Sequence, residues 1–118
     1  MRILFFLLVP FFANAQMVGK TIYSDGSIES TGTIEKGMPA GKWQYFYEHG
    51  TLKKEGHFEK GSEHGYWKEY YPNEKLKSAG LYEKGVKIGN WKYYSNKGVL
   101  VREEWWEKGS LKDTKTYH

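Results

Sequence analysis

From residue 17 onward the chain alternates apolar and polar side chains in short runs, the two-residue period of a half-exposed β-strand. Trp43, Tyr45 and Tyr47 fall on one side of such a run, as do Trp67 and Tyr71, and Trp91 and Tyr93. The pattern then repeats on a longer scale. Trp43, Trp67 and Trp91 stand 24 residues apart, each preceded by two positions by Gly41, Gly65 or Gly89. Ile28, Leu52, Leu76 and Leu100 keep the same period, followed by Gly32, Gly56 and Gly80 and then by Ile34, Phe58, Tyr82 and Trp106. Glu-Lys-Gly recurs in register at residues 35–37, 59–61, 83–85 and 107–109. An internal period of this length is the mark of a repeat array. The repeats run over 17–40, 41–64, 65–88 and 89–112, with a partial fifth at 113–118, where Tyr117 is in register with Tyr93.

Each repeat reads as a hairpin, with a first strand such as Trp43 to Tyr47 and a second such as Leu52 to Phe58. His49-Gly50 between them, like Asp25-Gly26 and Lys97-Gly98, is the dipeptide of a two-residue turn. The third repeat has Asn73-Glu74 there, and Asn also tolerates the left-handed conformation. The Lys-Gly of Glu-Lys-Gly supplies the turn into the next hairpin. A turn at 49–50 places Tyr47 opposite Leu52, Trp43 opposite Gly56 and Trp67 opposite Gly80, so that each indole covers a glycine backbone. Trp91 faces Glu104 instead, which predicts a looser or more exposed C-terminal end. The expected fold is therefore all-β: tandem antiparallel hairpins forming one elongated, twisted, open sheet. One face carries a Trp/Tyr/Leu ladder; the other is mostly Lys, Glu and Gln, interrupted by Phe46, Tyr70 and Tyr94.

Residues 1–15 break the pattern. Arg2, an apolar run from Ile3 to Phe12, and Ala13-Asn14-Ala15 have the order of a secretory signal peptide, with cleavage after Ala15 and the repeat domain at 16–118. The run is about half the length that spans a bilayer, and the other readings of it are an uncleaved anchor or an unusual first strand. The expected location is periplasmic, cell-envelope or extracellular. The chain lacks cysteine, so no disulfide frame holds it. Thirteen of its 14 glycines fall on four repeat positions, which assigns them to turns and packing. The net charge of +4 is spread without blocks of one sign, the pattern of a solvated surface.

Gly-x-Trp-x-x-Tyr-Tyr-x-x-Gly-x-Leu-x-x-x-Gly-x-Tyr-x-x-Gly, which residues 65–85 follow nearly throughout, resembles the bacterial MORN-repeat-variant family. The resemblance spans residues 17–112. It implies a string of β-hairpins. Many members carry the label of antitoxin component of a YwqK-type toxin–antitoxin system, and related MORN proteins are associated with membrane phospholipid and with scaffolding.

Chemistry is thin. His49, His57, His64 and His118 lack the companion ligands of a metal site, and no nucleophile elbow or phosphate loop occurs. The glutamates recur with the turns, whereas a catalytic pair is normally unique. No enzyme activity, catalytic residue, metal or cofactor is expected. The candidate binding residues are the aromatics Trp43, Tyr45, Tyr47, Trp67, Tyr71, Trp91, Tyr93 and Trp105. Trp105 and Trp106 must point to opposite faces, so one of them is exposed or covered by a partner. Lys36, Lys60, Lys84 and Lys108 line one edge if the turns stack. These features suit an exported scaffold for a protein partner, including an antitoxin or immunity protein. The alternative is a peripheral binder of phospholipid or cell-wall glycan. No nucleic-acid partner is expected.

Overall fold

The computed structural model describes the backbone of residues 3–9 and all of residues 16–118. Ten strands follow one another: β1 (Ile3–Val9), β2 (Gln16–Ile22), β3 (Ile28–Glu35), β4 (Met38–Phe46), β5 (Leu52–Glu59), β6 (Ser62–Tyr70), β7 (Leu76–Glu83), β8 (Val86–Tyr94), β9 (Leu100–Glu107) and β10 (Ser110–Thr116). They lie in chain order in one antiparallel sheet that does not close. The long axis of 50 Å matches ten strands at about 4.8 Å spacing. β1 pairs with β2, from Ile3 opposite Ile22 to Val9 opposite Gln16. The expected cleavage region at 10–15 lies outside the described residues. Among those described, no helix is long and apolar enough to cross a membrane.

Two kinds of turn alternate. At each Lys-Gly both residues have positive φ: Lys36, Lys60, Lys84 and Lys108 at 52°, 51°, 50° and 48°, and their glycines at 78°, 82°, 82° and 83°. That is the two-residue turn whose twist matches antiparallel strands. The strand after it starts at once, so β4 begins at Met38, five residues before the Trp at which the sequence pattern begins it.

The other turn differs from the sequence reading. Gly50 N–H donates to the Tyr47 carbonyl at 2.9 Å, and Tyr47 N–H donates to the Thr51 carbonyl at 2.9 Å. The loop is thus three residues long, Glu48-His49-Gly50, and Phe46 rather than Tyr47 stands opposite Leu52. A bulge at Lys53 absorbs the extra residue, so Tyr45 pairs with Lys54 and Trp43 with Gly56 as expected. The slip moves one set of side chains to the other face. Leu52, Leu76 and Leu100 pair with Phe46, Tyr70 and Tyr94 on the face opposite the tryptophans, not beside them.

In the third repeat it is Glu74, not Asn73, that takes the left-handed position, with φ 73° where the other loops place Gly26, Gly50 and Gly98. Asn73 Oδ1 instead accepts the Lys75 N–H at 3.1 Å. A glutamate there costs about 1–2 kcal/mol of local strain. Glu74→Gly is therefore expected to raise stability by about 0.5–1 kcal/mol once the extra freedom of glycine in the unfolded chain is subtracted. Thermal melting checks this; an unchanged or lower midpoint refutes it.

The packing of the tryptophans gives the array a direction. β4 bulges against β3 at residues 41–42, so that Gly32 faces Trp43 while Thr33 faces Ala40; β6 and β8 do the same at 65–66 and 89–90. Trp43 and Trp67 therefore have a glycine on both neighbouring strands, Trp91 has Gly80 on one and Glu104 on the other, and each indole leans onto the earlier strand. Trp43 covers Gly32 and reaches Gly19, Trp67 covers Gly56, and Trp91 covers Gly80. Trp43 and Trp67 pair with Gly56 and Gly80 as expected, but the indoles cover the glycines of the earlier strands, not these partners. The indole N–H groups donate to the carbonyls of Thr33, His57 and Leu81 at 3.0, 3.1 and 3.1 Å, where the bulges interrupt the ladder. Ile34, Trp43, Trp67 and Trp91 are the buried hydrophobic residues.

Tyrosines tie the other end of the hairpins. The hydroxyls of Tyr23, Tyr47 and Tyr71 donate to the carbonyls of Phe46, Tyr70 and Tyr94, one repeat onward, at 2.6–2.7 Å. Tryptophan thus reaches back one repeat and tyrosine reaches forward one.

Candidate functional site

The first face carries a continuous aromatic chain. Trp43, Phe58, Trp67, Tyr82 and Trp91 meet edge to face, with centroids 6.1, 5.1, 6.1 and 5.0 Å apart in turn. Tyr45 joins it between Trp43 and Trp67, 6.4 Å from each. The three indoles are only 5–8% exposed, so they form the sheet's core, while Tyr45, Tyr47, Tyr71 and Tyr93 are half-buried. The structure brings these seven candidates onto one face. Trp105, the eighth, lies on the other, half-buried and opposite Asn90; Trp106 stays on the first face. As expected, the two point to opposite faces, and both are half-buried.

Basic side chains lie on the rings. Lys54 Nζ is 4.7 Å from the Tyr45 ring centre and 5.7 Å from that of Trp67. Lys87 Nζ lies 4.7 Å from Trp91 and 4.9 Å from Trp106. The Arg102 guanidinium is 4.1 Å from Tyr93. Such cation–π contacts favour the charge when it is partly shielded from water.

The C-terminal end is more exposed, as expected, with every residue of β10 exposed, but Glu104 builds a cap on the last Trp-bearing strand. Glu104 takes the position of Gly32, Gly56 and Gly80 in the period, and Thr114, not an aromatic residue, stands opposite it on β10. With no indole arriving, the Glu104 side chain uses the space. Its Oε1 accepts the Tyr93 hydroxyl at 2.7 Å and the Trp106 N–H at 3.0 Å, and its Oε2 lies 3.3 Å from Arg102 Nε. Trp91 remains 5% exposed beside it, over Gly80.

Burial pushes the Tyr93 phenol up to about 12, helped by its hydrogen bond to Glu104. Burial also works to raise Glu104, but Tyr93, Trp106 and the charges of Arg102 and Lys87 outweigh it and hold the carboxyl below its ordinary value of 4.5. Both shifts are linked to stability. The Glu104 contribution is full above pH 4.5 and is lost as pH falls through the lower folded value. The Tyr93 contribution is full below pH 10 and is lost as pH rises from 10 toward 12. Wild type is thus expected to lose stability at both limits, and Glu104→Gln to be less stable at neutral pH with a flatter acid limb. Urea midpoints measured across pH test this; an unchanged acid limb in Glu104→Gln refutes the assignment.

At the Lys-Gly edge the turns do stack: Gly85 N–H donates to the Glu63 carbonyl and Gly109 N–H to the Lys87 carbonyl, both at 3.0 Å. The lysine row expected from the sequence is present, and Glu35, Glu59, Glu83 and Glu107 stand beside it. The edge is thus a row of alternating charges rather than a cationic rail. His57 and His64 stand opposite one another, with His64 Nε2 3.3 Å from Glu59. Among the described residues no group of three or more His, Cys, Asp or Glu could hold a metal ion.

The second face was underestimated by the sequence reading. Ile22–Ile28, Phe46–Leu52, Tyr70–Leu76 and Tyr94–Leu100 are cross-strand pairs. Together they make an apolar row running across eight strands. Toward the C-terminal half a second group joins it, with Leu81 opposite both Tyr66 and Ile88 and Trp105 on the neighbouring strand. The signal in the sequence was the recurrence of Phe46, Tyr70 and Tyr94; the leucines were hidden by the bulge.

Residues 40–60 and 63–84 match the model of the MORN repeat variant family, over the two most regular hairpins. No curated protein and no solved structure matches the chain. The described residues form an open array of hairpin repeats, and its central two match the MORN repeat variant.

Proposed function

We propose that this chain is an exported, non-catalytic scaffold whose second face holds a protein partner. The apolar row from Ile22 and Ile28 to Tyr94 and Leu100 carries the reading, since a single-layer sheet provides no second layer to cover it. In its sharpest form the partner is an envelope-acting toxin that this protein neutralises as an antitoxin or immunity protein.

The second reading is a peripheral binder of phospholipid or glycan through the aromatics and the lysine edge. The alternating glutamates weaken its electrostatic part. Capture from an envelope extract separates the two. Wild type is expected to retain one partner at raised salt, and Leu76→Lys/Trp105→Lys to lose it at least tenfold while melting as a folded protein. Retention of anionic vesicles that fades with salt, with no protein held, overturns the proposal and supports the second reading.

A further inference from the structure

The repeats can be compared with one another position by position, and the third departs from its neighbours at one place on the first face. In the second repeat Tyr45 pairs with Lys54, and in the fourth Tyr93 pairs with Arg102; each basic group lies on its ring, at 4.7 and 4.1 Å. In the third repeat the pair is Glu69 and Ser78. Ring and cation are both missing, and a carboxylate has taken the ring's place. Next to it, Lys87, near the end of the third repeat, lies between Trp91 and Trp106 of the fourth at 4.7 and 4.9 Å. One repeat earlier the same three positions are Glu63, Trp67 and Tyr82. Again the rings are kept and the cation is exchanged for a carboxylate.

The result is a cleft of about 140 Å³ lined by Trp67, Tyr82, Trp91, Glu63, Glu69 and Ser78. Ser78 is 7% exposed; the aromatic rings make the walls and the two carboxylates sit among them. Lys54 and Lys68 border it too; the Lys54 ammonium lies 4.7 Å from the Tyr45 ring and 5.7 Å from that of Trp67, and Lys54 stands opposite Glu69. Lys77 Nζ lies 3.7 Å from Glu69. Aromatic faces with carboxylates beside them attract an organic cation more than a neutral group of equal size, because the ring quadrupole adds to the charge. An anion would meet two carboxylates.

We propose that this cleft binds an alkylammonium group, either a lysine-type amine or a quaternary ammonium, which supplies the cation that the second and fourth repeats carry in their own chain. The site stands apart from the protein-interface proposal, which concerns the opposite face, so either can fail without the other.

The test is titration of the full chain with choline, n-butylammonium and 3,3-dimethyl-1-butanol, the neutral isostere of choline, followed at the indole N–H resonances of Trp67 and Trp91. At least one ammonium is expected to give a saturable shift at least about fivefold tighter than the neutral alcohol. Tighter binding of choline points to a quaternary headgroup, and tighter binding of butylammonium to a lysine side chain of a protein. Glu69→Tyr/Ser78→Arg installs the pair of the fourth repeat at a position where the fold already accepts it. This variant is expected to fold, to fill the cleft and to abolish the shift. Glu63→Gln is expected to weaken binding at least about threefold. Equal binding of the neutral alcohol, no saturable shift with either ammonium, or full binding by the folded double variant each overturns the proposal.

Discussion

Trp67→Ala is expected to lose about 4 kcal/mol of stability, within the usual range for truncating a buried Trp. Trp67 is 5% exposed in a sheet with few buried side chains. It meets Phe58 and Tyr82 at 5.1 and 6.1 Å, lies on Gly56 and donates to the His57 carbonyl at 3.1 Å. Removing it exposes that glycine strand, strips one neighbour from two rings and leaves a carbonyl at the bulge without its donor. It also cuts the coupling between the second and third repeats. In an array held by contacts between neighbours, that separates unfolding into more than one step. Urea denaturation followed by circular dichroism and by Trp91 fluorescence is expected to give coincident curves for wild type and separated ones for the variant. A loss below about 1.5 kcal/mol would place Trp67 outside the core.

Gly80→Ala, which adds one methyl group, is expected to cost about 3 kcal/mol, at the upper end of overpacking effects. A Cβ at residue 80 would come within 2.0, 2.2 and 2.5 Å of three atoms of the Trp91 indole. The ring cannot bend, so it must lift from the strand and give up its 3.1 Å bond to the Leu81 carbonyl. Gly26→Ala is the control. That residue has φ +90° with nothing within 4 Å of an added Cβ, so its cost is confined to backbone strain of about 1 kcal/mol. Equal effects at the two positions in chemical denaturation would refute the indole clash.

These two predictions rest on a feature that was only partly legible in the sequence. The 24-residue period, the Lys-Gly turns and the pairing of Trp43 with Gly56 could all be read, because they follow from spacing and from the backbone needs of turns. The lean of the indole could not. Trp43 and Trp67 each have a glycine on either side, and the choice is made by the bulge, at residues 41–42 for Trp43, which frees a carbonyl on the earlier strand. The second bulge, at Lys53, sent Leu52, Leu76 and Leu100 to the far face, since alternation counted through a loop one residue too short ends on the wrong side. Glu74 escaped notice for the same reason: the left-handed position is the third residue of the loop, not the first of a two-residue turn.

The candidate site was legible to a similar depth. Seven of the eight aromatics chosen do share one face, yet Trp43, Trp67 and Trp91 are spent on holding repeats together, and Trp105 lies on the opposite sheet face. What differs between repeats proved more informative than what recurs. Glu69, Ser78 and Glu63 mark the cleft because they break a pattern, and Glu104 marks the cap in the same way.

The backward lean of the tryptophans also sets an order of assembly during synthesis. A hairpin leaving the ribosome carries an open glycine groove, and the indole that closes it arrives only with the strand 11 residues later, as Trp43 does for Gly32 and Trp91 for Gly80. Each new repeat therefore consolidates the one made before it, from the N-terminus onward. The process stops without a leftover groove at Glu104, whose own carboxylate fills the last place.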